Sequence, residues 1–223
     1  MVSYKKLVHK TMPPEKEESA KKCIVGHYIL RPVSNIITIP LLETSIEPTT
    51  VTIISGFFIL ASMFAFVMFP SKIRFIAGWL FLLVWNILDG VDGNIARYKD
   101  KCSERGEMWE SFTGWLAIIV FYTGMGMTAF FQEKSILPAL ESINGYYYIL
   151  MGNIAGISWI LPRLVMHKKS NILDRNAAEN LNRKNYGAIE LFVFNVTSIN
   201  GLAAVVFLVA YLLKLCDLCM IGY

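Results

Sequence analysis

An all-α, polytopic membrane protein is the fold class this sequence predicts, and three observations predict it. Of 223 residues, 55% are hydrophobic and only 17% charged, against about 45–50% and 25% in an average soluble domain. Apolar runs of membrane-crossing length recur along the chain. Basic residues collect in alternate connections between those runs. A soluble protein of this size could not hide that much apolar surface, and mean hydropathy is +0.48. The composition excludes a disordered chain, a nucleic-acid module and an ordinary cytosolic enzyme. The net charge of +4 matters less than where it sits.

Residues 1–27 are polar and lysine-rich, with no long apolar run behind a short basic start. They read as a cytoplasmic segment and not as a signal peptide. Residues 28–220 read as one membrane-embedded domain. Its first stretch, Tyr28–Glu43, is largely apolar, too short to span and interrupted by Pro32 and Pro40. It predicts an interfacial helix with Arg31, Ser34, Asn35 and Thr38 on its polar side.

A crossing helix needs about 20 mostly apolar residues. Val51–Phe69, Phe75–Ile95, Trp109–Phe131 and Tyr146–Met166 meet that requirement. The tail, Tyr186–Tyr223, predicts either one long span or two short ones broken at Ser198–Gly201. The connections after the second and fourth spans are basic (Arg97, Lys99, Lys101, Arg105; Arg163, Lys168, Lys169, Arg175, Arg183, Lys184), as is the N-terminal segment. Those after the first and third carry only Lys72 and Arg74, and Lys134. The basic side faces the cytoplasm. A broken tail gives six spans and a cytoplasmic C-terminus; an unbroken one gives five. Cys23, Cys102, Cys216 and Cys219 lack the partners of a zinc site and read as small apolar residues.

One segment carries chemistry. The second span ends in NILDGVDGNIAR, Asn86 to Arg97. A charge within a span costs roughly 2.5–3.5 kcal/mol, so an intramembrane acid predicts function. On a helix Asp89 and Asp92 lie about one turn apart and can converge on one hard cation. Gly90, Gly93 and Ala96 remove bulk beside them, and Arg97 supplies a planar fork suited to phosphate. Glu110 opens the third span, so a hairpin of spans two and three returns it towards the two aspartates. A simple interfacial cap would not require two acids, a stripe of small residues and an arginine in this order. Arg163, His167, Lys168 and Lys169, at the cytoplasmic end of the fourth span, are either further phosphate ligands or topology charges.

The run Asp89-x-x-Asp92-Gly93-x-x-Ala96-Arg97, eight residues, Gly106, three residues, Glu110 resembles the signature of the CDP-alcohol phosphotransferase (phosphatidyltransferase) family, D-x2-D-G-x2-A-R-x8-G-x3-D-x3-D. Arg31-Pro32 and Glu47-Pro48-Thr49-Thr50-Val51-Thr52 resemble the family's approach to its first span. The resemblance implies six transmembrane helices, a homodimer and a cytoplasm-facing polar cavity. It implies a CDP-linked donor, an alcohol acceptor, small or lipid, and release of CMP. Asp89, Asp92 and Glu110 would be the catalytic metal ligands, holding two Mg2+ or Mn2+ ions. Arg97 would bind phosphate, with Thr52, Gly93 and Ala96 lining the nucleotide site.

Two positions depart from the pattern. The third acid is Glu110, one methylene longer than Asp. The fourth is Gly114, where the family places the Asp proposed to activate the acceptor hydroxyl. Glu107 and Glu190 are the candidate substitutes. An acceptor that arrives ionised, such as a polyprenyl phosphate, would need no such base. A non-catalytic nucleotide- or lipid-binding scaffold is the third reading, and Asp89, Asp92 and Arg97 together argue against it.

Overall fold

A computed structural model describes residues 2–132, 140, 142–172 and 187–223, and among them there is helix and no strand. Two short helices open the chain, α1 (Tyr4–Thr11) and α2 (Pro14–Lys21). A π-turn at Gly26–Leu30 runs directly into α3 (Arg31–Leu42). Then come α4 (Pro48–Met68), α5 (Ser71–Tyr98), α6 (Glu104–Phe130) and α7 (Tyr146–Ile172). The tail is in three pieces: α8 (Ala188–Thr197), α9 (Ala203–Leu212) and α10 (Cys216–Gly222).

Local chemistry sets the helix ends. Pro48 occupies the first turn of α4, where its missing N–H costs nothing. Phe69 precedes a proline and is extended, which ends α4 and lets Pro70 lead into α5. Ser103 caps α6 by accepting from the Gly106 N–H at 3.1 Å, and Glu104 and Glu107 place negative charge on its first turn.

Three helices are long and apolar enough to cross a bilayer among the described residues, Pro48–Met68, Ile73–Tyr98 and Glu104–Phe130. They pack around Phe66, whose ring fills the space that a Cβ at Gly78 of α5 or Gly124 of α6 would take. Ile59, Phe75, Trp85, Phe121, Met125 and Phe207 complete this core. On the outside, Ile53, Phe57, Leu60 and Phe64 form an exposed stripe along α4, and Leu150, Ile154, Ile157 and Leu161 one along α7. Spacings of three and four put each stripe on one helix face, and in a bilayer that face meets lipid.

The polar N-terminal segment packs against the bundle. Leu7 is fully buried, and Lys10 donates to the Tyr98 carbonyl at 2.6 Å, tying α1 to the end of α5. Helix α3 turns its polar side inward: Ser34, Asn35 and Thr38 are buried while Val33 and Ile36 are exposed. Its hydroxyls and amide meet α5, so the amphipathic pattern serves the bundle interior.

The tail breaks at Ser198–Leu202, as in the broken-tail alternative, but the chain does not reverse there. The Thr197 carbonyl lies at Tyr122, Trp79 donates to the Ala204 carbonyl at 2.9 Å, and Phe75 stacks on Tyr211 at 4.4 Å. Helices α8 and α9 therefore continue in one sense, α9 antiparallel to α5. The reversal comes at Leu213–Leu215, with Lys214 in the left-handed region at φ 57°. Helix α10 then returns along α6: the Cys216 N–H donates to Gln132 Oε1, and Tyr223 lies beside Tyr122.

Candidate functional site

The carboxyl-terminal third of α5 forms one wall of a cavity of about 730 Å3. Helix α4 contributes Thr52, α5 contributes Asp89, Asp92, Gly93, Ala96 and Arg97, and α6 contributes Glu107, Glu110 and Gly114. Every residue of the family-like run singled out as ligand or lining thus borders the same space. The tail closes the far end with Thr197–Asn200.

Asp92 is 3% exposed. Its Oδ2 accepts from Thr52 Oγ1 at 2.6 Å, while Oδ1 is buried with no hydrogen-bond partner. A buried carboxylate oxygen without a donor is costly unless a cation or proton meets it. The wall as a whole has the same need. Among the described residues, Asp89, Asp92, Glu104, Glu107 and Glu110 oppose only Arg97 and Lys101 around the cavity, and like charges sharing a poorly solvated space repel. Oxygen-only donors fit a hard divalent ion. Among the described residues, no three acids stand close enough to form a closed metal cluster.

Arg97 is placed by its own helix. A Cβ at Gly93 would stand 2.9 Å from its Nη2, so glycine makes room for the guanidinium to lie back along α5. Asn94 Oδ1 accepts from Arg97 Nη2 at 3.2 Å, and Asn94 Nδ2 donates in turn to Asn35 Oδ1 at 2.8 Å and Thr38 Oγ1 at 3.3 Å. Gly90 admits Ser34, whose hydroxyl donates to the Ile87 carbonyl at 2.8 Å. Helix α3 thereby orients the arginine through Asn94, a residue the sequence reading passed over. An amide within a span is itself a costly group, and that signal was available.

The two departures are also located. At Gly114 an added Cβ would meet nothing within 4 Å, so that position opens on empty cavity. Glu107 lines the cavity. Glu190 does not: it is exposed, and its carboxylate accepts from the Gly187 N–H at 2.9 Å, capping α8. The side chains of Arg163, His167, Lys168 and Lys169 lie outside the described residues.

A second chamber of about 470 Å3 lies against the other face of the same wall. It shares Asp89, Gly93, Arg97, Glu110 and Asn200 with the first, and is closed by the segment leading into α3.

A family model described as CDP-alcohol phosphatidyltransferase matches residues 46–218, well over half of the chain. No curated protein matches it.

Proposed function

The chain belongs to the CDP-alcohol phosphatidyltransferase family, a transferase family, and from that premise we propose that it moves a phospho-alcohol or phosphatidyl group from a CDP-linked donor to an alcohol, releasing CMP. The observation that carries the reading is the convergence of Asp89, Asp92, Glu110 and Arg97 on one cavity, with Asp92 Oδ1 buried and unpartnered.

Asp89, Asp92 and Glu110 would hold Mg2+ or Mn2+, two ions by the family pattern. Such ions neutralise the diphosphate and the charge that develops on the leaving phosphate. The protein's own groups supply the rest. Thr52 fixes the Asp92 carboxylate by bonding one oxygen and leaving the other available. Arg97, steadied by Asn94, offers a rigid donor fork to a phosphate oxygen. Thr52, Gly93 and Ala96 leave the wall low enough for the nucleotide to approach. The site faces the cytoplasm, since the basic connection after α5 borders the cavity at Lys101. Pairing of two copies and a place in phospholipid assembly belong to the same proposal and rest on the family resemblance.

Gly114 favours one other reading, a polyprenyl phosphate acceptor. A phosphate monoester is already ionised near neutral pH, its second pKa being about 6. The deciding experiment is incubation of purified protein with CDP-linked donors, Mg2+ or Mn2+ and a membrane lipid extract. CMP release that EDTA stops, with transfer to a free hydroxyl seen by mass spectrometry, supports the first reading. Stoichiometric consumption of a phosphorylated lipid supports the second. A protein that binds donor and releases no CMP is a scaffold.

A further inference from the structure

The site as described has no group to take the proton of an acceptor hydroxyl at the position where the family carries one. Gly114 has no side chain, Glu190 is outside the cavity, spent on a helix cap, and Glu107 lines the donor cavity but not the second chamber. The second chamber contains a different candidate. His27, in the π-turn before α3, lines it together with Asp89, Arg97 and Glu110. Its Nδ1 is buried and has no hydrogen-bond partner.

The imidazole does not sit there by chance of a loose arm. The residues before it are clipped to the break in the tail. The Gly26 N–H donates to the Asn200 carbonyl at 2.8 Å, and the Cys23 thiol donates to the same oxygen at 2.9 Å. The Ile24 N–H donates to Asn195 Oδ1 at 3.1 Å, while Asn195 Nδ2 donates to the Lys22 carbonyl at 2.8 Å. Tyr28 meets the ring edge-on at 4.8 Å.

We propose that the second chamber receives the acceptor alcohol and that His27 is the base that takes its proton. This rests on the alcohol-transfer reading above. The acceptor oxygen attacks the phosphorus bearing the donor's alcohol group. A new P–O bond forms as the bond to CMP breaks, and CMP leaves with the electron pair. The hydroxyl proton passes to His27, which releases it to solvent before the next turnover. The chamber shares Asp89, Gly93, Arg97 and Glu110 with the donor cavity, so an acceptor held there would border the residues that hold the donor.

The charge around the ring suits the role. Burial and the nearby Arg31 and Lys21 hold the imidazole below the usual histidine value, with Glu17 opposing. Asp89, Glu110 and Arg97 face the chamber from α5 and α6. The ring is therefore neutral, and able to accept a proton, at neutral pH. Activity should rise with pH through the histidine titration and fall below it.

The test uses the full-length protein in detergent or nanodiscs, with a CDP-linked donor and a hydroxyl acceptor. His27→Gln should lower kcat by about 10²–10⁴-fold, the span of general-base contributions. It should leave the donor KM unchanged and remove the acid limb of the pH–rate profile. Imidazole should partly restore His27→Ala. Gly114→Asp, which sets a carboxylate at the family's position, should partly restore His27→Gln. If His27→Gln retains a third or more of kcat with the same pH profile, the proposal is overturned. The same holds if activity is lost through a raised donor KM with neither form of rescue, since that marks a structural role. If the unmodified protein releases no CMP to any hydroxyl acceptor, the alcohol-transfer reading falls and the histidine's role with it.

Discussion

Thr52 on α4 and Asp92 on α5, forty residues apart in sequence, share a 2.6 Å hydrogen bond at the floor of the cavity. The bond does two things at once. It joins two helices that pack extensively against each other, and it selects which carboxylate oxygen stays open. Thr52→Val should leave a buried acceptor unsatisfied, at a cost of about 1–3 kcal/mol. CMP release should fall tenfold or more, whereas Thr52→Ser, which keeps the hydroxyl, should stay near the parent rate.

Asp89→Asn and Asp92→Asn should each abolish turnover and still yield folded protein, because both side chains border a cavity and not the packed core. The readouts are CMP release and thermal unfolding in detergent, with and without Mn2+. The parent should gain thermal stability from Mn2+ by mass action, and either variant should gain less. Full activity of either variant in excess EDTA would contradict a divalent site.

Two glycines of the same helix should respond in opposite ways to alanine. Gly124→Ala drives a methyl into the Phe66 ring and should destabilise by about 1–3 kcal/mol, as overpacking does. Gly114→Ala adds a methyl where nothing stands within 4 Å. It should be neutral or stabilise by about 0.5–1 kcal/mol, through the lower helix cost of alanine. Denaturation midpoints of the two variants side by side decide the matter.

Cys102 provides a native reporter of orientation. It is exposed and borders the cavity, whereas Cys23 and Cys216 are buried. A membrane-impermeant maleimide should leave Cys102 unmodified in intact cells and modify it after permeabilisation. A CDP-linked donor should slow that reaction. Rapid labelling in intact cells would place the cavity on the other side of the membrane.

The acids of the cavity could be found in the sequence because each breaks a rule: Asp89, Asp92 and Glu110 stand where the bilayer makes carboxylates expensive. Thr52 was found through its place in a run resembling the family's. Asn94 broke the same rule as the acids, but its role appears only with the partners Asn35 and Thr38 in place. The direction of the tail was not legible. Apolar runs and a lone Lys214 against Asp217 carry no information on where a chain reverses, and the grip of Asn195 and Asn200 on residues 22–26 spans more than 170 positions. Nor does a pattern of polar and apolar residues tell which side of α3 faces inward when lipid surrounds the protein. His27 carries no sequence signal: a single histidine in an amphipathic stretch is ordinary.

The grip of the tail on the N-terminal arm has a consequence for biogenesis. Chains emerge from the ribosome N-terminus first, so Cys23, Ile24 and Gly26 are available early, while Asn195 and Asn200 are made more than 170 positions later. Until α8 and α9 enter the bilayer, the donor wall on α5 can already be in place, but nothing yet holds His27 over the second chamber. A nascent or truncated chain would thus carry the acids without the finished reaction vessel. Competence for transfer would arrive only with complete insertion.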